Sequence, residues 1–305
     1  MLARCLAVLL PPNLMRQSRF FSLWERRGYH VTPVHFHQPI PDTTQLSDRL
    51  WSTSGSLVGI EMREQEQLSL LHSLCARYRR EYAQFPRSEP TKECPFYIEN
   101  VWFGSVDAEV LYSVVRHLRP RRIIEIGSGF STVLPSLAIE KNNAEDPAYD
   151  CQFTPIEPYP RRDLLAHCKK LSKLIETPVQ AVPLSEVLNL DRDDILFIDS
   201  SHVSKLGSDV NYEIFEILPR LKTGVLVHIH DIFLPLEYPK KLHMEHRMFW
   251  NEQYLLRAFL SFNSAYRVVW AGSYMHWRCP DRLSEAFDSY DGLSTVPGSF
   301  WMQRN

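Results

Sequence analysis

Two short segments gather the side chains best suited to chemistry. Ile195-Leu-Phe-Ile-Asp199-Ser-Ser-His202 sets a carboxylate after an apolar run and an imidazole three residues later. Val225-Leu-Val-His228-Ile-His230-Asp231 ends a second apolar run with imidazoles and a carboxylate. If both runs are neighbouring parallel strands, these groups emerge at the carboxyl ends, where ligands of open α/β sheets bind. Asp199, His230 and Asp231 are then placed to converge on one divalent metal. An imidazole among oxygen donors shifts preference from Mg²⁺ toward Mn²⁺, Fe²⁺ or Zn²⁺. Strand alternation puts His228 and His230 on one face, which leaves open which of them reaches the site. The plainer reading makes Asp199 a helix cap and sends His228 into the core.

A third segment, Glu125-Ile-Gly127-Ser128-Gly129-Phe-Ser-Thr132, sits where a strand turns into a helix. Glycines there let backbone approach a ligand, and the helix start offers free N–H groups. In a dinucleotide site a third glycine packs the helix onto the strand. Here Thr132 stands in that position, and an acidic residue precedes the turn. That favours a ligand carrying a cationic amino acid over a pyrophosphate. Glu157, at the end of the next strand, is suited to accept from ribose hydroxyls. It follows Glu125 by 32 residues, and the polar stretch Lys141 to Asp150 accounts for the added length. A bulky side chain at Gly127 is expected to block the ligand without unfolding the sheet.

The elements that position these residues are legible as a repeating pattern from Asp107 onward. Helices are expected at Ala108–His117, Ser131–Ile139, Ser208–Leu218 and Asn251–Phe262. Short apolar strands are expected at Ile123–Ile126, Phe153–Ile156, around Val179–Val182, Ile195–Ile198 and Val225–Ile229. Alternation of this kind means a parallel sheet covered on both faces. Tyr266–Ala271 and Ser273–Arg278 flank Gly272 and are read as an antiparallel hairpin. Upstream, Ile60–Phe85 reads as a helix, and Tyr29–Pro41 as an extended, proline-punctuated segment holding His30, His35 and His37. Phe233–Trp250, with Tyr238, His243, His246, Phe249 and Trp250, reads as either an aromatic lid or packing.

The Glu125/Gly127/Gly129 turn resembles the E/D-x-G-x-G motif of class I S-adenosylmethionine (SAM)-dependent methyltransferases, over roughly residues 105–280. The chain is also similar to an uncharacterised bacterial methyltransferase-like family. The resemblance implies a doubly wound, mostly parallel α/β sheet with a C-terminal antiparallel hairpin. It implies that Glu125, Gly127, Ser128 and Gly129 bind the methionine end of SAM and that Glu157 binds the ribose. The two strand ends are similar to those of metal-dependent macrolide sugar O-methyltransferases, with a D-x-x-H segment and then an acidic pair. By that similarity Asp199 and Asp231 are metal ligands and His202 is the general base beside Asp199, while His230 stands where a carboxylate is usual. The expected reaction is metal-assisted O-methylation of a small hydroxylated metabolite, with Mg, Mn or Fe as the ion. Two alternatives stand beside it: an iron oxygenase-like enzyme on the same fold, and a SAM-binding protein without catalysis.

Composition narrows the class. Lys and Arg total 34 against 36 Asp and Glu, so there is no basic excess to attract nucleic acid. Six cysteines lie far apart without a C-x-x-C pair, which disfavours a disulfide framework or zinc knuckle. Leu2–Leu10 is apolar but is interrupted by Arg4 and stopped by Pro11, too short to span a bilayer. The expected organisation is an N-terminal extension and helical or lid region (1–100), a SAM-binding domain (101–280) and a tail (281–305). The expected setting is cytoplasmic with a small-molecule substrate and no membrane partner, self-association being left open.

Overall fold

The computed structural model describes residues 17–91, 94–293 and 296–305. The apolar leader lies outside them. Six strands form one sheet: β1 (Arg122–Ile126), β2 (Gln152–Ile156), β3 (Ile195–Ile198), β4 (Leu226–Ile229), β5 (Tyr266–Ala271) and β6 (Phe300–Arg304). Their order is β2-β1-β3-β4-β6-β5, with β1 to β4 parallel and β6 antiparallel to both its neighbours. Every residue of β3 and β4 is buried. Such continuous apolar runs belong in a parallel sheet covered on both faces. The fold is the expected α/β class.

The main helices are α1 (Glu64–Tyr82), α2 (Asp107–Leu118), α3 (Phe130–Glu145), α4 (Asp209–Tyr212), α5 (Glu252–Leu260), α6 (Gly272–Arg278) and α7 (Pro280–Ala286). Leu71 and Leu74 of α1 share one core with Val110 of α2, Ile123, Leu196 and Trp270. Helix α1 thus packs into the same core as the sheet. On α2, Glu109 accepts from the N–H of Val106 at 2.6 Å and satisfies a free donor at the helix start. Arg116 fastens α2 to its neighbours, donating to Glu81 at 2.8 Å and Glu145 at 2.6 Å. Among the described residues no helix is long and apolar enough to cross a membrane.

Several boundaries differ from the sequence reading for local reasons. Val179–Ala181 is a single 3₁₀ turn, not a strand. It lies between Pro178 and Pro183, which have no N–H to give a sheet. The polar stretch after Lys141 begins as helix, because Arg116 holds Asn142 and Glu145. The helix expected at Ser208–Leu218 runs as α4, a π turn at Glu213–Ile217 and a 3₁₀ turn at Leu218–Arg220.

The antiparallel pair exists, but its second strand is β6. Ser273–Arg278 is helix α6, so no tight hairpin turns at Gly272. The residues read as a tail therefore supply a strand within the sheet, between β4 and β5. Trp301 there is fully buried and stacks on His228 at 4.1 Å. Trp301→Ala should cost about 3–5 kcal/mol of stability, the usual range for emptying a buried indole. Denaturant unfolding measures this, and a loss below about 1 kcal/mol would contradict the placement of β6.

Candidate active site

The chain leaves β1 for β2 on one side and returns to β3 on the other. That reversal opens a crevice beyond the ends of β1 and β3. There the N–H of Asp199 donates to the Ile126 carbonyl at 2.8 Å, and that of Gly127 to the Ile156 carbonyl at 3.0 Å. Asp199 follows β3, and Asp231 follows the neighbouring β4. His202 and Asp231 both hold a positive φ of 59°. Non-glycine residues in that region carry roughly 1–3 kcal/mol of strain each and gather at functional sites.

The predicted ligands converge. One ligand atom from each of Asp199, His230 and Asp231 lies within 4.8 Å of the others. The His230 Nδ1 stands 3.4 Å from Asp199 and 3.6 Å from Asp231. The His202 Nε2 faces the same two carboxylates at 3.5 and 3.4 Å. Oxygen and imidazole donors at this spacing fit one divalent first-row ion.

Each imidazole is held from behind by a carboxylate that the sequence reading missed. The His202 Nδ1 lies 3.0 Å from Glu252 of α5, and the His202 carbonyl accepts from the N–H groups of Asn251 and Glu252. When the ring is neutral and Glu252 ionised, Nδ1 carries the proton and Nε2 presents a lone pair to the site. The His230 Nε2 lies 3.3 Å from Asp107 of α2, which also accepts from the N–H groups of Gly298 and Ser299. Outer carboxylates of this kind fix ring orientation and tautomer. Asp107 and Glu252 both occupy helix first turns, where an acidic residue is ordinary. That familiarity conceals them in the sequence.

Electrostatics tie the four groups together. Burial alone would depress the His202 imidazole, but Glu252, Asp231 and Asp199 push it up to about 9. Burial likewise opposes protonation of His230, yet Asp231, Asp199 and Asp107 raise it well above its ordinary value. Asp199 is kept below the usual carboxylate value, since His230 and His202 overcome the effect of burial. Asp231 is raised, because there burial outweighs the same two imidazoles. Without an ion, protons on the two histidines balance the two carboxylates.

His228 is no ligand. It is sandwiched between Phe197 at 4.2 Å and Trp301 at 4.1 Å, its Nε2 lies 2.8 Å from the Ser299 hydroxyl, and burial keeps it neutral. His30, His35 and His37 are exposed. Tyr238 is fully buried and its hydroxyl accepts from the Gln253 N–H, so it packs rather than forming a lid. Trp250 does border the site, 4.5 Å from the His202 ring.

The glycine turn stands at the same crevice. Glu125 is fully buried, and one carboxylate oxygen accepts from Ser131 and Thr132. Its other oxygen and the Ser128 hydroxyl are buried without a partner. Glu157 accepts from the N–H groups of Ser128 at 3.1 Å and Tyr159 at 2.7 Å. A cavity of about 490 Å³ runs from Gly127 and Glu157 to Asp199. Unpaired buried acceptors beside a helix start and a ribose-type carboxylate fit SAM.

The two glycines have different reasons to be glycine. At Gly127, with φ +100°, a Cβ would meet the Asp199 carbonyl oxygen at 2.0 Å. Its constraint is the contact between strand ends, not only the approach of a ligand, which corrects the expectation for a substitution there. At Gly129 a Cβ would meet nothing within 4 Å.

An open α/β sheet with a glycine turn and an adjoining site of carboxylates and imidazoles defines a class I methyltransferase-like architecture. Residues 124–232 match the model of a methyltransferase domain. A protein of Archaeoglobus fulgidus, described only as uncharacterised, is 32% identical over 178 residues, covering 55% of this chain and 77% of that one. The chain thus belongs to one family with that archaeal protein and carries a methyltransferase domain over residues 124–232. Among solved structures, CalS11, a TDP-rhamnose 3'-O-methyltransferase of calicheamicin biosynthesis, is 14% identical, with a TM-score of 0.42 over 85% of this chain and 99% of that one. A CmcI structure with Mg and SAM is 15% identical, with a TM-score of 0.32 over 74% of this chain and 84% of that one.

Two measurements test this geometry. Gly127→Ala should lower the melting temperature, whereas Gly129→Ala should keep the fold and weaken S-adenosylhomocysteine binding by about tenfold or more. Calorimetry alongside thermal unfolding reads both, and normal stability of Gly127→Ala would refute the clash. The second concerns protons. His202 protonation stabilises the ion-free protein fully below pH 6.5, and that stability is lost as pH rises through about 9. A divalent ion must displace protons from the histidines, so Mn²⁺ should bind more tightly as pH climbs from 6 to 9. Titration in buffers of different protonation heat counts the protons released, and pH-independent affinity would contradict the coupling.

Proposed function

We propose that the protein transfers the methyl group of SAM to a hydroxyl of a small metabolite, at an ion held by Asp199, His230 and Asp231, with His202 as base. The observation that supports this most is the junction itself. The cavity beside Gly127 and Glu157 reaches Asp199, and the His202 Nε2 stands 3.5 Å from that carboxylate.

The chain's residues divide the work. Glu125, Ser128, Gly129 and the start of α3 hold the amino-acid end of SAM, and Glu157 holds the ribose. Asp199, His230 and Asp231 would hold a divalent ion, which would supply Lewis acidity to make the acceptor hydroxyl more acidic. Glu252 keeps the Nδ1 proton of His202 in place, so Nε2 is free to take the hydroxyl proton. As that proton leaves, the acceptor oxygen forms a bond to the methyl carbon and the carbon–sulfur bond breaks. S-adenosylhomocysteine departs with the electron pair on sulfur, and the proton remains on His202 until solvent removes it. Holding the reactants in line supplies much of the rate. The acceptor in this reading is a hydroxylated small molecule met in the cytoplasm.

The iron-oxygenase alternative draws on the same three residues, Asp199, His230 and Asp231. Oxygen uptake by the Fe²⁺-loaded protein, absent in the methyl-transfer reading, separates the two. A purely SAM-binding role leaves the paired His202–Glu252 and His230–Asp107 arrangement without a purpose.

Asp199→Ala and Asp231→Ala should each lose most bound metal while keeping S-adenosylhomocysteine affinity within a few-fold. His202→Ala should retain both metal and cofactor, with turnover falling by about 10²–10⁴-fold as for a lost general base. Metal content by mass spectrometry beside cofactor titration decides the first point. Wild-type protein that stays metal-free after reconstitution would overturn the ion's part.

A further inference from the structure

The loop from Asp199 to His202 is gripped by three carboxylates, each from a different turn of the chain. Ser201 gives its N–H at 3.0 Å and its hydroxyl at 2.5 Å to Asp209 of α4. The His202 Nδ1 meets Glu252 of α5. Between them the Ser200 hydroxyl lies 3.1 Å from Oε2 of Glu213, at the head of the π turn. Widened turns of this kind are rare and gather at functional sites. Methyl transfer engages Asp199, His202 and Glu252, and leaves Glu213 without a part.

Glu213 differs from the other two carboxylates. It is fully buried, and its Oε1 has no partner. Among the described residues the Ser200 hydroxyl is its one side-chain partner. Ionised, it would leave a bare negative oxygen in a dry place, with Glu252 and Asp209 close by. Burial first, and then the charges of Glu252 and Asp209, push its carboxyl well above the ordinary range, against the pull of Ser200. Protonation removes the conflict. A neutral acid carries one O–H, and the Ser200 oxygen is the acceptor within reach. The orphaned Oε1 is then a carbonyl oxygen, which costs far less to leave unpaired than a charge.

That proton decides what Ser200 can offer. A hydroxyl has a single hydrogen. Beside an ionised Glu213, Ser200 must donate to it and has only lone pairs for anything else. Beside a neutral Glu213 it accepts, and its own hydrogen is released. Ser200 also lines the cavity that runs past Gly127 and Glu157.

We infer that Glu213 is a positioning residue for the cofactor: a neutral carboxylic acid that donates to Ser200 and so makes the Ser200 hydroxyl a donor toward an acceptor atom of SAM. It acts through Ser200 and touches neither cofactor nor ion. Its neutrality also holds the Asp199–His202 loop at a third point without a third negative charge. The inference rests on the reading of that cavity as the SAM site and adds to it the sense of one hydrogen bond.

Two readouts test it, one of the proton and one of the hydroxyl. The first is the infrared difference spectrum of wild-type protein minus Glu213→Gln at about pH 8, where an ordinary glutamate is ionised. The carbonyl stretch of a protonated carboxylic acid should appear, and carboxylate bands alone would overturn the neutral state. The second is calorimetry. Ser200→Ala and Glu213→Met should each weaken S-adenosylhomocysteine by about fivefold, as for one ordinary hydrogen bond. Glu213→Gln keeps an uncharged donor toward Ser200 and should recover most of that loss. The double variant of Ser200→Ala and Glu213→Met should bind no more weakly than Ser200→Ala alone, because both effects pass through one hydroxyl. Additive losses, or full affinity in Ser200→Ala, overturn the donor role. Should Glu213→Met fail to fold, Ser200→Ala and the infrared band still decide. Wild-type protein that binds no S-adenosylhomocysteine overturns the SAM reading of the cavity itself, and this role with it.

Discussion

Two carboxylates, Asp199 and Asp231, stand side by side at the ends of adjacent strands, and their mutual repulsion must be answered. Charge of one sign in a desolvated place is tolerable only when paired. The protein answers with two imidazoles, His202 and His230, each facing both carboxylates. Those imidazoles in turn are anchored by Glu252 and Asp107. The arrangement therefore extends outward in alternating sign: carboxylate, imidazole, carboxylate. α2 and α5 are fixed at their first turns because they carry the outermost layer.

This alternation would let the same residues serve the proposed metal-loaded state as well as a protonated one. Protons on the histidines and a divalent ion are interchangeable ways to neutralise Asp199 and Asp231. The left-handed backbone at His202 and Asp231 accompanies the 3.4 Å contact between their side chains. Gly127 belongs to the same problem, for its missing side chain lets the Asp199 carbonyl close over β1.

The inner layer of the site was legible in the sequence because strand ends concentrate chemistry and alternation is a strong local signal. Asp199, His202, His230 and Asp231 meet as their spacing implies. Asp107 and Glu252 were not legible, because their partners lie 123 and 50 residues away. The choice between His228 and His230 was also beyond local pattern; the aromatic faces of Phe197 and Trp301 decide it. In the fold, β1 to β4 and the helices between them follow from apolar runs and helical spacing. The final antiparallel pair did not, since two apolar runs on either side of Gly272 look like a hairpin until α6 and α7 intervene. β6 is a short apolar run whose neighbours in space, β4 and β5, both precede it in the chain.

That late strand has a consequence for how the molecule comes into being. Chain order puts β6 last among the six strands, yet it fills the gap between β4 and β5. The N–H groups of Gly298 and Ser299, just before it, complete the hold on Asp107, and the Ser299 hydroxyl meets His228. During synthesis, β1 to β4 can assemble while the outer support of His230 is still missing. A nascent chain would expose the flank of β4 until Phe300–Arg304 leaves the ribosome and zips into place. The full support of His230 then arrives in a single late event rather than growing with chain length.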